Sequence, residues 1–444
     1  MLRLQAHPLA LSLVVLASLA GCGSSATQSA PAPAGLDGGA SPGQDGGPVV
    51  VTPGQPPPDG SAAAPDATAP DATAPDATAP DASPPPPPPP VSSNGLSLRV
   101  SGNQLLDANN KPVRLLGVNR SGAEGKCIQG GTPPNSLGWN IYDSPTDLPS
   151  AQVIVSWHAN AVRLPLNEDC WFGINGVNPL YGGANYRKVI IDYVATLHQA
   201  GLYVILDLHW NAPGNIPALD QQPMPDADHS VDFWKAVATQ FASDPAVVFD
   251  LYNEPYVYPN YIQNPNGDPW DCWLNGCGMS VYMTGGTPYM QSLNWNAAGM
   301  QSLVDAVRST GAKNPIMVGG LGWANDLSGW LSHKPKDPQN ALIASWHNYP
   351  NQNCTDATCW NATVAPVAAQ VPVVIGETGD EICGSTQLID AELPWMDAHG
   401  ISYLGWTWNA WQGYCEDVLI TDYSGTPTTN YGQKFKALLA KSNP

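Results

Sequence analysis

Positive charge is what this 444-residue chain lacks most: 17 Lys and Arg face 37 Asp and Glu, for a formal net charge of −20. Seven of the acids lie in residues 1–93, where Arg3 is the lone base, and the rest of the chain still sets 30 acids against 16 bases. A surface short of cations excludes the electrostatic footprint of nucleic-acid binding and suits a neutral substrate. The apolar run around residues 9–19 is too short to span a bilayer, which takes ~20 residues. None of the nine cysteines shows the C-x2-C spacing of a zinc site. No phosphate-cradling GxGxxG follows the first strand-like run, which disfavours an open doubly wound sheet.

What is present at the amino terminus is an export signal. Residues 1–21 open with Arg3, continue through the apolar run and end in small residues. Leu19-Ala20-Gly21-Cys22 resembles a bacterial lipoprotein box, which would make Cys22 the lipidated first residue of the mature protein. Residues 22–93 follow as a Pro/Ala/Asp-rich linker with the repeat PDATAPDATAPDATAPDAS and seven prolines at Pro84–Pro90. Such a segment cannot bury a core, and as polyproline II the stretch from Gly23 to Pro90 reaches about 200 Å. The expectation is an exported, lipid-anchored monomer, held off the cell envelope and touching membrane only through that lipid. In the oxidising compartment this implies, the eight cysteines after residue 126 point to disulfides. Eight allow 105 connectivities. Cys272 with Cys277 and Cys354 with Cys359 are close enough to clip local loops, leaving Cys127–Cys170 and Cys383–Cys415 as long-range pairs.

From residue 94 to 444 the texture is that of one domain. LSLRVSGNQLLDANNKPVRLLGVN reads as a short hairpin turning at Asn109-Asn110, then a strand. Strands are expected near 113–119, 160–166, 203–209, 246–253, 314–320, 341–349, 371–377 and 402–409. Helical periodicity lies between several of them. ANYRKVIIDYVATLHQAG puts Val189, Ile190, Tyr193, Val194 and Leu197 on one face and stops at Gly201. SVDFWKAVATQFAS does the same with Phe233, Trp234, Val237 and Phe241, with Ser230 as N-cap; MQSLVDAVRSTG ends at Gly311. Eight apolar strands alternating with helices over about 350 residues fit an α/β (β/α)8 TIM barrel with a short N-terminal β-hairpin and long βα loops.

Catalytic groups of such barrels gather at the C-terminal ends of the strands. Those ends carry Arg163 on the second, His209 and Trp210 on the third, and Asn253 and Glu254 on the fourth. His347 and Tyr349 follow on the sixth, Glu377 on the seventh, and Trp406, Trp408 and Trp411 on or after the eighth. A carboxylate ending an apolar strand costs desolvation unless it is paired or used. Glutamates on the fourth and seventh strands face each other across the ring, the arrangement that glycosidic cleavage needs. One must stay protonated and the other ionised, so their surroundings must separate the two pKa values. Asp207, two residues before His209, points the same way into the barrel and reads as structural.

NEP after the fourth strand, HNY on the sixth, IGE on the seventh and tryptophan on the eighth together resemble glycoside hydrolase family 5, the cellulase family of clan A, over most of residues 95–441. The resemblance implies Glu254 as acid/base and Glu377 as nucleophile of a retaining β-glycosidase. It gives substrate contacts to Arg163, His209, Asn253, His347, Tyr349 and Trp408, with Trp406 close enough to compete for the last role. It implies no metal or organic cofactor. The expected substrate is a β-1,4-linked glucan cut internally. A β-mannanase or another β-glycan or exo-acting activity of the family stays open, as does transglycosylation; a non-catalytic carbohydrate-binding lipoprotein is the alternative of another class. About half of Trp171, Trp210, Trp270, Trp273 and Trp323 are expected in the cleft, and the 35 residues after Pro255, YVYPNYIQNPNGDPWDCWLNGCGMSVYMTGGTPYM, are expected to form a loop walling one side.

Overall fold

Continuous aliphatic runs build the wall of the domain. The computed structural model describes residues 92–130, 140–282, 292–380, 385–411 and 417–443. The signal segment, Cys22, all but the last two residues of the linker, and the Cys383–Cys415 pair lie outside them. Strands β1 (Arg99–Ser101), β2 (Gln104–Leu106) and β3 (Pro112–Val113) make an antiparallel meander. The expected turn at Asn109-Asn110 joins β2 to β3, with Asn110 at φ +62, and β1 adds a strand to the hairpin the sequence suggests.

In chain order the barrel strands are β4 (Leu116–Asn119), β5 (Ala161–Asn167), β6 (Tyr203–Trp210) and β7 (Val247–Asp250). A hairpin, β8 (Gly276–Tyr282) and β9 (Ser292–Ala298), then leaves the wall. The barrel resumes with β10 (Ile316–Gly319), β11 (Leu342–Asn348), β12 (Val373–Thr378) and β13 (Ser402–Gly405). The eight wall strands pair parallel throughout, and β13 closes on β4 through Tyr403–Leu116 and Leu404–Gly117. All eight expected strands are present, and the fold is a (β/α)8 barrel.

Helices cover the outside as their periodicity demands. Helix Ala184–Gln199 buries Ile190, Tyr193, Val194 and Leu197, and Gly201 follows it at φ +88. Helix Ser230–Phe241 buries Phe233, Trp234, Val237 and Phe241, each contributing roughly 1.5–3 kcal/mol. Ser230 does not cap that helix: it is the first helical residue, and its hydroxyl donates to buried Glu168 at 2.7 Å. Its oxygen accepts from the Asp226 amide at 3.1 Å, before the helix starts, and not from an amide of the first turn.

The barrel interior has two tiers. Ala161, Ile205, Val248, Met317, Ile343, Val374 and Leu404 form one apolar cluster. Side chains on a strand alternate faces, so the residues two further on also point inward. They are Arg163, Asp207, Asp250, Gly319, Ser345 and Gly376, and Trp406, just past the end of β13, joins this tier by stacking on His209. The interior thus changes from aliphatic to polar within one strand repeat.

The segment after Pro255 is not a structureless loop. It holds helix Pro269–Asn275 and the β8–β9 hairpin, with Cys272–Cys277 bridging helix to strand. Its Trp273 is buried and donates to the Gly319 carbonyl at 2.9 Å. Disulfides Cys127–Cys170 and Cys354–Cys359 also form, matching the suggested pairs.

Candidate active site

At the polar end of the barrel, one guanidinium organises the groups around it. Arg163 is buried with five oxygen partners within 3.1 Å. Nη1 donates to Glu377 Oε1 at 2.6 Å and to Asn119 Oδ1 at 3.1 Å. Nε donates to Asp250 Oδ2 at 2.9 Å, Nη2 donates to Asn253 Oδ1 at 2.8 Å, and Asp207 Oδ2 lies 3.1 Å from Nη2. Only Arg offers five N–H groups in a planar fork. Burial opposes its charge, but Asp207, Asp250 and Glu377 outweigh burial, and Arg163 holds its proton more tightly than a free guanidinium.

The two glutamates converge. Carboxylate oxygens of Glu254 and Glu377 and a ring nitrogen of His347 all lie within 4.8 Å of one another. His347 Nδ1 is 3.0 Å from Glu254 Oε1 and 3.8 Å from Glu377 Oε2, so the imidazole stands between the two acids. Tyr349 donates its hydroxyl to Glu377 Oε2 at 2.8 Å. Burial alone would raise Glu377; the charges of His347, Arg163 and His209, with the Tyr349 hydrogen bond, outweigh it and hold Glu377 below the ordinary glutamate range.

His347 is seated by its neighbour strand. A Cβ on Gly376 would lie 2.6 Å from His347 Nε2, so the glycine before Glu377 makes room for the ring. His209 lies 2.7 Å from Asp207 through Nδ1 and stacks at 5.5 Å, nearly parallel, on the half-buried Trp406. Burial lowers the His209 pKa, but Asp207, Glu377 and Glu124 reverse that and raise it. Asp207 therefore joins Arg163 to His209.

The structure thus brings Arg163, His209, Asn253, Glu254, His347, Tyr349 and Glu377 together. It does not bring Trp408. That ring is only 3% exposed and packs edge-on against Trp157 at 4.8 Å in the outer core; Trp406, which like Trp408 lies past the last residue of β13, faces the site instead. Of the other tryptophans, Trp171 and Trp273 are buried, and Trp270 packs on Trp273 and His333. Trp210 is half-buried, and exposed Trp323 stacks on Tyr256 at 3.7 Å.

Asn119, Asp250 and Gln221 escaped the sequence reading. Asp250 had a visible signal, a charge inside the apolar run VVFDLY; burial first, then Asp207, push it up to about 7 against the pull of Arg163. Asn119 and Gln221 look like ordinary strand and loop amides.

Behind the site, Glu392 is buried and accepts from Asn348 Nδ2 and from Thr378 Oγ1 at 2.7 Å, the residues just after His347 and Glu377. Burial raises it to about 8, and Asp380 adds to the rise. A carboxyl raised on folding is stabilising while protonated, so its contribution is complete below about pH 4.3 and is lost as pH climbs toward 8. Glu392→Gln can accept from Asn348 through its amide oxygen and donate its Nε2 to the Thr378 hydroxyl oxygen, and it removes the titration. Melting temperatures at pH 5 and pH 8 should therefore differ less in Glu392→Gln than in the wild type; equal pH sensitivity would refute this.

Among the described residues, two groups bring carboxylate and imidazole atoms within metal-binding reach: Glu254, His347 and Glu377, and separately Glu168, Asp169 and His229. In the first, Arg163 already supplies a buried positive charge.

Comparison with known proteins bears on the family and the fold. Residues 106–412 match the family model described as cellulase, glycosyl hydrolase family 5. A mannan endo-1,4-β-mannosidase of Streptomyces lividans is 24% identical over 215 residues, 47% of this chain and 48% of that protein. Endoglucanase 3 of Humicola insolens is 27% identical over 202 residues, covering 44% and 41%. The chain thus spans about half the length of the curated relatives it matches. The crystal structure of β-glucanase SdGluc5_26A from Saccharophagus degradans in complex with cellotetraose superposes with a TM-score of 0.57 at 20% identity, covering 81% of this chain and 98% of that one. That likeness concerns the fold.

Proposed function

The chain belongs to glycoside hydrolase family 5, and we propose that it is a retaining endo-acting β-glycosidase that hydrolyses β-1,4-linked glucan. The observation that carries this reading is the convergence of Glu254 and Glu377 within 4.8 Å. Retaining glycosidases place their carboxyl groups ~5–5.5 Å apart, whereas inverting ones leave ~6.5–9.5 Å for a water. In this mechanism Glu254 gives its proton to the leaving glycosidic oxygen while Glu377 attacks the anomeric carbon, forming a covalent glycosyl-enzyme. Glu254, now ionised, then takes a proton from water, whose oxygen displaces Glu377 and restores the starting β-configuration.

The surroundings fit those roles. Glu377 must be ionised to attack, and Arg163, His347 and Tyr349 favour that form. Asn253 faces the 2-hydroxyl of the sugar under attack, and the exposed part of Trp406 offers its apolar face to the ring, the role first expected of Trp408. Tyr256, two residues after Glu254, stacks on the exposed Trp323 at 3.7 Å, and this aromatic pair offers a further apolar platform for a sugar chain.

Residues 94–444, purified, should release reducing ends from soluble cellulose derivatives, with the first-formed anomer β by NMR. Preference for mannan on the same panel would move the chain to the mannanase branch, and an α anomer would overturn retention. The box around Cys22 and the proline-rich stretch support the further reading that this domain is tethered by a lipid. Labelled palmitate should enter the wild-type precursor and not Cys22→Ser; equal labelling would refute the anchor.

A further inference from the structure

Asn253 has one amide oxygen and two N–H groups. Its oxygen accepts from Arg163 Nη2 at 2.8 Å. Its Nδ2 donates to Gln221 Oε1. Gln221 Nε2 in turn donates to the backbone carbonyl of Glu254 at 3.0 Å. The direction of this chain is fixed at both ends. Arg163 can only donate, and a peptide carbonyl can only accept. Turning over either amide would set donor against donor or acceptor against acceptor. Asn253 therefore directs its second N–H in one way only, and that N–H has no partner among the described residues.

Gln221 is itself held rigidly. It is 7% exposed on the segment after β6, and the residues that follow it are fixed by hydrogen bonds. Tyr252 donates its hydroxyl to the Gln222 carbonyl and accepts from the Gln222 amide at 3.1 Å. Tyr256 N–H donates to the Pro223 carbonyl at 2.9 Å. Asn211 Nδ2 donates to the Met224 carbonyl at 3.1 Å. The residues on the C-terminal side of Gln221 are thus tied through Tyr252 and Tyr256 to the strand end that bears Asn253 and Glu254, and through Asn211 to the end of β6.

We infer that Gln221 is a positioning residue. It completes a one-way hydrogen-bond relay from Arg163 through Asn253 to the backbone of Glu254, and so aims the free Asn253 N–H at the sugar 2-hydroxyl. Because Arg163 also grips Glu377, the relay ties the placement of the attacking carboxylate to that of the acid. The inference rests on the glycosidase reading above. Nothing in the loop sequence LDQQPMPD singles Gln221 out from Gln222; only the closed barrel does.

The test is a cycle between protein and substrate. One substrate is an aryl β-cellobioside; the other is its analogue lacking the 2-hydroxyl on the sugar bonded to the aryl group. Gln221→Leu should lower kcat/KM on the first by about 10- to 100-fold, the cost of misplacing a hydrogen bond that matters in the transition state. On the analogue, which has no hydroxyl for Asn253 to hold, the loss should shrink to within about threefold. Gln221→Glu keeps an acceptor for Asn253 and should recover part of the loss. If the Leu variant does not fold, Gln221→Ala carries the same cycle. Wild-type rates in the variant, or equal losses on both substrates, would overturn the inference while leaving the glycosidase reading intact. A wild-type protein inactive on both substrates and on the polysaccharide panel would overturn that reading, and this inference with it.

Discussion

Glu377→Ala will cut turnover of an aryl β-cellobioside by about 10⁵-fold, because the covalent step loses its attacking atom and no neighbour can replace it. The variant should still bind cello-oligosaccharide, since Asn253, His209 and Trp406 keep their places. Azide should partly restore bond cleavage by entering the space left by the carboxylate, and the product should be an α-glycosyl azide. Glu254→Ala, by contrast, should keep fast formation of the glycosyl-enzyme from substrates with good leaving groups. There azide should give the β-glycosyl azide, because it attacks the intermediate from the face the acid normally serves. Opposite product configurations in the two variants would assign the roles independently of any rate. Full activity in Glu377→Ala would sink the assignment. Removing both carboxylates should cost little more than removing Glu377 alone, since the two act on one bond.

The second large effect is on Arg163. Arg163→Met would leave Asp207, Asp250 and Glu377 facing one another without their shared cation, in a place where all three are buried. Breaking a buried ion pair from one side costs about 3–5 kcal/mol, and here three partners are stranded. A melting temperature several degrees lower is the expected result, together with near-complete loss of activity. Arg163→Lys should rescue little, because one ammonium has three N–H groups for five oxygens. The pH profile gives a separate readout. Glu377 is held below its ordinary range in part by Arg163, so its stabilising contribution in the wild type is present above the unfolded pKa and is lost as pH falls. Without the cation its pKa should rise, and the acid limb of any residual activity should move to higher pH. A variant with wild-type melting and an unmoved acid limb would contradict this account.

Much of this was legible in the chain before any coordinates. Runs such as YVILDLH and VPVVIGE mark wall strands because a parallel strand covered on both faces is apolar along its whole length. The polar residues closing those runs mark the mouth. What the chain does not display is which strand-end side chain turns inward. Trp406 and Trp408 differ by two positions and both lie beyond the last paired residue of β13, where the strand rule no longer fixes the face. Only the structure separates the ring on His209 from the ring on Trp157. Gln221 and Asn119 are invisible for another reason. Their roles are made by contacts 32 and 44 residues away in sequence, which exist only once the ring has closed. The strand pair β8–β9 is hidden in the sequence because glycines interrupt GCGMSVYMTGG and mask its alternation.

The two tiers inside the barrel separate durability from chemistry along a single axis. Side chains such as Ile205, Val248 and Met317 lie one strand repeat before Asp207, Asp250 and Gly319. Heat tolerance can therefore be sought by repacking the deeper aliphatic ring, at a remove from the reacting groups. Changes of substrate preference belong at the opposite end, in segments such as the one carrying Tyr256 and the turn that presents Trp323. A breeder of improved variants has, in this molecule, two workbenches that scarcely share a tool.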